Sequence, residues 1–293
     1  MRFRRVGITA RSDIENRETV INSVVDIIER AGAKALIDEK RCRTEERKKQ
    51  KCFTSTDEID LLLVLGGDGT ILRTVRELPG LRVPILSINR GTIGFLAELT
   101  MDEADSMLPR FLIQGEGTIE KRSMIDIRAV RGKKQLFHGT VLNEAVISQG
   151  AISRLIDLKT SVNGDPLATF HADGVIIATP TGSTAYSLAA GGPIVHPSLQ
   201  ATILTPINPH SFSQKPIVLP AENDVSVMIM TKQNKFQDVQ VSLTLDGQTY
   251  VTLQRGDIVY AKAAKHCALF LRRKEETFFG TLRAKLKWGE GVE

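Results

Sequence analysis

The sequence predicts an α/β domain with a doubly wound parallel sheet, followed by a domain made mostly of β-strands. Three observations lead there. Over residues 1–118, short apolar runs alternate with stretches of helical period. One of those runs, Leu61–Leu65, is wholly apolar and breaks at once into Gly66-Gly67-Asp68-Gly69-Thr70. A strand buried on both faces of a parallel sheet reads this way where it feeds a helix. After Gly115-Glu116-Gly117 the period changes to two, and Asn163-Gly164 and Asp246-Gly247 supply hairpin turns.

The elements follow in order. Val6-Gly7-Ile8 reads as the first strand. Val20, Val24, Ile27, Ile28 and Ala31 recur at helical spacing, with Gly32 placed to cap that helix. Ala35–Ile37, Leu61–Leu65 and Val83–Ile88 read as further strands, and Ile71–Val75 resumes helical spacing after the glycines. Thr100-Met101-Asp102-Glu103 is a capping box that opens a helix running to about Ile113. Strands separated by helices imply right-handed crossovers. In the second part, strands are expected around Ser123–Arg128, Val141–Ile147, Leu155–Val162, Val175–Ala178, Val225–Met230 and Val239–Leu245, with a turn at Arg131–Lys134. Ala185–Ala190 is the main helical stretch there, ended by Gly191-Gly192-Pro193. The charged tail from Glu275 is expected to return to the first domain. Domain one is therefore drawn as 1–118 with the tail 275–293, and domain two as 119–274, a sandwich or layered sheets.

With 293 residues and 42% apolar content, the chain can bury two cores. No apolar run approaches the ~20 residues of a membrane span, and the run after Arg5 is too brief for a secretory signal. Cys42, Cys52 and Cys267 are odd in number and lack Cys-x-x-Cys spacing, which supports neither a disulfide framework nor a zinc site. A cytoplasmic protein is expected. The net charge of +5 owes much to seven basic residues between Lys40 and Lys51. A solvated surface segment is favoured there over a polyanion contact. No aromatic residue interleaves those charges, so no nucleic-acid partner is expected, and no membrane.

The glycine run lets backbone N–H groups turn toward a phosphate. Asp68 sets it apart. An anion there is a liability unless it binds a metal or takes a proton from an attacking hydroxyl. The loop has no Gly-Lys-Ser/Thr and no Gly-x-Gly-x-x-Gly spacing. Asn143-Glu144 interrupts an apolar run, either to grip a polar ligand or as a structural hydrogen-bond network. His171-Ala172-Asp173-Gly174 reads as a turn at a strand start. Thr179-Pro180-Thr181-Gly182-Ser183-Thr184-Ala185-Tyr186-Ser187 is expected to leave hydroxyl and backbone donors exposed at a helix N-terminus. Thr205–Ser211 reads as a rigid loop or a turn. No His pairs at metal-ligand spacing, and no Gly-x-Ser-x-Gly elbow is present.

Taken together and in this order, the Gly66–Thr70 loop, Asn143-Glu144, Asp173-Gly174, Thr179–Tyr186 and Thr205–Ser211 resemble the NAD kinases over nearly the whole chain. The glycine loop alone is shared with lipid kinases and phosphofructokinases; the Thr179–Tyr186 stretch is far more specific. The resemblance implies a Rossmann-like N-terminal domain, a β-rich C-terminal domain and a site in the crevice between them. It also implies transfer of the terminal phosphoryl group of ATP, or of polyphosphate, to the 2′-hydroxyl of the adenosine ribose of NAD, giving NADP. Asp68 would be the proton acceptor, with Gly66, Gly67, Gly69 and Thr70 as the phosphate loop and Arg73 within reach of a phosphate. Asn143 and Glu144 match the ribose and adenine contacts. Thr184, Ala185, Tyr186, Ser187, Leu188 and Ala189 resemble the adenine-pocket segment. Asp173, flanked by Arg154 and His171, resembles the nicotinamide-side carboxylate, and Gln248 is a further carry-over. Phosphoryl donors carry concentrated negative charge and no P-loop lysine neutralises it, so a divalent cation, Mg2+, held mainly by the donor's phosphates is expected, with no protein metal site. The alternating strands Val225–Met230 and Val239–Leu245 and the resemblance together point to a homodimer or homotetramer built through the C-terminal domain. A lipid kinase would need an apolar acceptor cleft, whereas these motifs are polar. A non-catalytic NADP-binding module would not carry Asp68, which would repel the 2′-phosphate.

Overall fold

A computed structural model of the chain describes residues 2–11, 13–43, 46, 50–78, 80–89, 94–150, 155–230, 240–274 and 277–287. The chain divides into two compact units, Met1–Lys121 with Ala268–Glu293, and Arg122–Cys267.

In the first unit, β1 Arg5–Ala10, β2 Lys34–Asp38, β3 Cys52–Phe53, β4 Leu61–Leu65, β5 Ile85–Asn89, β6 Leu99–Thr100 and β7 Thr118–Arg122 join the late strand Ala268–Arg272 in one eight-stranded sheet. Its order is β3-β2-β1-β4-β5, then the late strand, then β7, with β6 beside β5. From β3 to the late strand the pairings are parallel. The chain winds outward from β1 to β3 on one side and from β4 to β5 on the other. That reversal opens a crevice at the C-terminal ends of β1 and β4, where α/β sheets bind ligands.

The helix α1 Arg17–Arg30 buries Ile21, Val24, Val25 and Ile28 in one core with Val6, Ile8, Leu61, Leu63 and Leu65. Leu62 and Val64 are fully buried as well, so β4 has no solvent face and its unbroken apolar run follows. The next helices are α2 Asp68–Glu77 and α3 Met101–Pro109. The capping box at Thr100 and Glu103 forms with both of its hydrogen bonds. The helix expected to reach Ile113 changes after Pro109, which has no N–H to give, and continues as a wide π turn, Arg110–Gln114.

The second unit holds β8 Ile125–Arg131, β9 Lys134–Val141, β10 Glu144–Gln149, β11 Ile156–Val162, β12 Asp165–Ala172, β13 Gly174–Ala178, β14 Ala201–Ile207, β15 Ile217–Pro220, β16 Val225–Ile229, β17 Val241–Leu245, β18 Thr249–Leu253 and β19 Ile258–Ala263. Two six-stranded sheets result, β15-β14-β13-β10-β17-β18 and β12-β11-β16-β19-β8-β9. Alternate residues such as Ile127, Leu158 and Val227 share a core with Ile147, Val175 and Leu243 of the other sheet, the packing of a sandwich. On the outer side, Val146, Ile176 and Ala178 cluster with Val195 and Ile203. β13 is therefore covered on both faces. Its helix α4 is only Tyr186–Ala189, after a 3-10 turn at Gly182–Thr184; the helix expected over Ala185–Ala190 is shorter.

Two boundaries differ from those drawn from sequence. The β-rich part, expected over 119–274, is Arg122–Cys267. The strand Ala268–Arg272, now β20, leaves it because it pairs in parallel with β5 of the first unit's sheet, Phe270 opposite Ile85. No strand is expected there from the sequence, and a strand's local sequence does not say which sheet it joins. The tail helix α5 Phe278–Leu286 groups with the first unit.

Candidate active site

β4 ends at Leu65 and the chain turns on Gly66, whose φ is +152°. A Cβ there would lie 2.4 Å from Thr70 Oγ1, so the turn requires glycine. Gly67 is the N-cap and α2 starts at Asp68 itself, a few residues before Ile71. Gly69 is exposed and Thr70 buried.

Asp68 is gripped by backbone. Its Oδ2 accepts the Phe95 N–H at 2.8 Å, and its Oδ1 accepts those of Leu96 and Ala97 at 3.2 Å each. A carboxylate has about four acceptor positions, so three donors fix both oxygens and leave about one position for an incoming hydroxyl. Gly94 makes this approach possible, because a Cβ on it would stand 2.2 Å from Asp68 Oδ1. A cavity of about 440 Å³ adjoins the turn, lined by Leu65, Gly66 and Gly67 after β4, by Asn89 at the end of β5, and by Arg11, Asp13 and Glu15 after β1. It occupies the crevice that the strand order creates.

Arg73 lies along its own helix. Its Nε donates to Glu77 Oε1 at 2.6 Å, and Glu77 Oε2 accepts Arg41 Nη2 at 2.5 Å. Burial raises the Glu77 pKa, but hydrogen bonds from Arg41 and Arg73 outweigh it and hold the carboxyl below its ordinary value. Arg41 also donates to Thr9 and Thr74, so this member of the basic stretch is a structural residue. Residues 44, 45 and 47–49 of that stretch lie outside the described residues.

A second set assembles in the second unit. Asn143 and Glu144 open β10, and Glu144 pairs with Ala178 at the end of β13. The Thr179 N–H donates to the Asn143 carbonyl at 2.8 Å and its hydroxyl to the Leu142 carbonyl at 2.6 Å. Gly182 packs so closely that a Cβ would meet the Asn143 carbonyl oxygen at 2.2 Å. Asp246 accepts the N–H groups of Leu142, Asn143 and Glu144 at 3.1, 2.9 and 3.1 Å. Glu144 is 6% exposed and its Oε2 has no partner. Burial, then the Asp246 carboxylate, push its pKa up to about 7 against a backbone N–H from Tyr186. Tyr186 itself is 47% exposed, and its backbone N–H reaches the buried Glu144 carboxyl.

The hydroxyls expected to be exposed in this segment are instead used internally. Ser183 donates to the Pro180 carbonyl, Thr184 to the Thr181 carbonyl, and Ser187 pairs with Thr205, the Ser183 and Ser187 contacts being buried. They shape the loop. Leu188 is half-buried, while Ala189 and Gln248 are exposed; the Gln248 N–H closes the turn onto Leu245.

The nicotinamide-side residues stand apart from this set. Asp173 precedes β13 and Thr179 follows it, a run of about 20 Å at ~3.3 Å per residue. Asp173 accepts from Gln149 Nε2 at 3.0 Å and Asn208 Nδ2 at 2.9 Å. His171 Nδ1 lies 2.8 Å from Asp157, and its ring meets that of His210 edge-on. Arg154 lies outside the described residues. Sequence reasoning missed Asp246, legible only as a turn residue, and the Phe95–Ala97 donors, which are backbone and carry no side-chain signal.

The chain is similar to known proteins over nearly its whole length. Residues 7–116 match a family model for the ATP-NAD kinase N-terminal domain, and residues 142–272 one for the ATP-NAD kinase C-terminal domain. The NAD kinase of Geobacter sp. strain M21 is 37% identical over 292 residues, covering 98% of this chain and all of the relative. That of Trichlorobacter lovleyi is 44% identical over 234 residues, 80% of each chain. Among solved structures, yeast NADH kinase complexed with NADH superposes with a TM-score of 0.85 at 24% identity, covering 99% of this chain and 89% of that one. An NAD kinase from Archaeoglobus fulgidus in complex with ATP gives 0.74 at 24% identity, covering 97% and 98%. At that identity the likeness is one of fold.

Proposed function

The chain belongs to the NAD kinase family, and from that premise we propose that Asp68 is the general base of its reaction. The protein is a phosphotransferase that phosphorylates NAD to NADP, with ATP as the donor. The observation that carries the role of Asp68 is its placement. It opens α2 directly after Gly66-Gly67, with both carboxylate oxygens aimed by backbone donors. A 2′-hydroxyl attacks phosphorus only as its proton leaves, and a fixed carboxylate with an acceptor position left over supplies that destination. Gly66, Gly67, Gly69 and Thr70 form the phosphate loop, since a helix N-terminus and glycine N–H groups stabilise phosphate charge.

The adenosine half of NAD is assigned to Asn143, Glu144 and the segment Thr184–Ala189. Glu144 presents a buried carboxyl oxygen that lacks a donor, which a ribose hydroxyl or an adenine amine would supply, and the exposed Tyr186 suits stacking. Asp173 and His171 are assigned to the nicotinamide side, with Gln248 as a lesser contact. Arg73 reaches a phosphate only by leaving Glu77.

A divalent cation, Mg2+, accompanies the donor's phosphates. Asp13, Glu15 and Asn89 line the cavity beside the glycine turn, but Arg11 already engages both Asp13 oxygens, so the donor's phosphates supply most of the oxygen ligands such an ion takes. When bound, it neutralises the phosphate charge. No helix among the described residues is long and apolar enough to cross a membrane, and the three cysteines are free. A reducing cytoplasm suits free thiols. A homo-oligomer formed through the second unit is also assigned. Phe212 is 94% exposed and Val218, on the edge strand β15, 50% exposed, apolar surface that a partner would cover.

The test is to incubate purified protein with NAD, magnesium and either ATP or inorganic polyphosphate, with a chelator arm, and to assay NADP. Asp68→Asn keeps the shape and removes the base, and its turnover is expected to fall by about 10²–10⁴-fold. Near-parental turnover would remove Asp68 from the role, and full activity in excess chelator would remove the cation.

A further inference from the structure

Three N–H groups aim the Asp68 carboxylate, and all three belong to one short segment, Phe95–Ala97. Whatever orients those peptide planes orients the base. Each of the three carbonyls in the segment is itself engaged. Arg272 on β20 donates from Nη2 to the Phe95 carbonyl at 3.0 Å and from Nη1 to the Ala97 carbonyl at 3.4 Å. The Ser87 hydroxyl donates to the Leu96 carbonyl at 3.3 Å and accepts the Glu98 N–H at 3.0 Å.

The peptide planes make the connection physical. The Phe95 carbonyl and the Leu96 N–H share one plane, so a guanidinium on that oxygen tilts and polarises the group that donates to Asp68 Oδ1. Arg272 is held in place by Glu98, 1% exposed, whose Oε2 receives Nη1 at 2.7 Å. A planar fork reaching two carbonyls and a carboxylate at once is a geometry that an ammonium does not reproduce.

We propose that Arg272 is a positioning residue for phosphoryl transfer, clamping the Phe95 and Ala97 carbonyls so that the segment's N–H groups converge on Asp68. The proposal rests on the reading of Asp68 as general base. Arg272 lies far from Asp68 in sequence and acts on it only through backbone.

The test is Arg272→Lys, which keeps a cation against Glu98 and loses the fork, compared with the parent for kcat, for the KM values of NAD and ATP, and for melting temperature. The expected result is a kcat lower by about tenfold or more with both KM values within about twofold, because a small misplacement of a catalytic group is felt in the transition state. Arg273→Lys is the control, since Arg273 pairs with Glu98 and Glu103 without touching the Phe95–Ala97 carbonyls; it should keep parental kcat. In an Asp68→Asn background, Arg272→Lys should cost little more. Parental kcat in Arg272→Lys, or an equal fold-loss in both backgrounds, would overturn the proposal. Near-parental turnover in Asp68→Asn alone would instead overturn the base reading beneath it. Should the Lys variant fail to fold, Arg272→Gln combined with Glu98→Gln carries the same comparison without a buried unpaired charge.

Discussion

Glu144 is a buried carboxyl with one oxygen that meets no donor. Burial and then Asp246 raise its pKa from 4.5 to about 7. The folded chain therefore binds more protons at this group than the unfolded chain does between those two values. Stability from this source is intact below 4.5 and is lost as pH rises toward 7. Glu144→Gln has no such titration. Its melting temperature relative to the parent should climb between pH 5 and pH 8, read by thermal denaturation across that range; a pH-independent difference would refute the assignment. Bound NAD should oppose the trend by giving Glu144 the donor it lacks. The sequence showed that Asn143-Glu144 was an anomaly in an apolar run. It did not show that Asp246, distant along the chain, satisfies the neighbouring N–H groups and raises the Glu144 pKa.

The segment Phe95–Ala97 acts as one element because its N–H groups face Asp68 while its carbonyls face Arg272 and Ser87, and Gly94 leads into it. Gly94 tests that arrangement with a single methyl group. In Gly94→Ala the new Cβ would contest the space of the Asp68 carboxylate, at 2.2–2.3 Å. The atoms met belong to a side chain and not to backbone, so the carboxylate is displaced from its three N–H donors while the fold is kept. Turnover should fall about a hundredfold, while the melting temperature moves by no more than about 4 °C; steady-state kinetics alongside calorimetry would decide it, and a large loss of stability with unchanged turnover would be the wrong pattern. Gly182 is the contrasting position, since its Cβ would meet the backbone oxygen of Asn143, which cannot yield without disturbing β10. Helix starts show the same division. The Thr100–Glu103 capping box is written in side chains and was legible. The start of α2 at Asp68 was not, because its N-cap, Gly67, makes no side-chain cap hydrogen bond.

On the scale of the whole molecule, the exposed Phe212 and Val218 argue for a covered face on the second unit. Light scattering at micromolar concentration should return the mass of a dimer or tetramer, and a monomer would overturn the assignment. The sequence by itself determined the two-part division in outline, the parallel sheet around Leu61–Leu65, the hairpins at Asn163-Gly164 and Asp246-Gly247, and the family. Those signals are local: the period of a strand or helix and the conformations open to glycine act over a few residues. Tertiary structure alone decided that β20 joins the first sheet, that the Thr179–Ser187 hydroxyls turn inward, and that Phe95–Ala97 and Arg272 hold Asp68. Each of these is a meeting of segments far apart in the chain. The groups that touch the base are backbone N–H, which every residue but proline carries alike, so the side chains of Phe95–Ala97 do not record them.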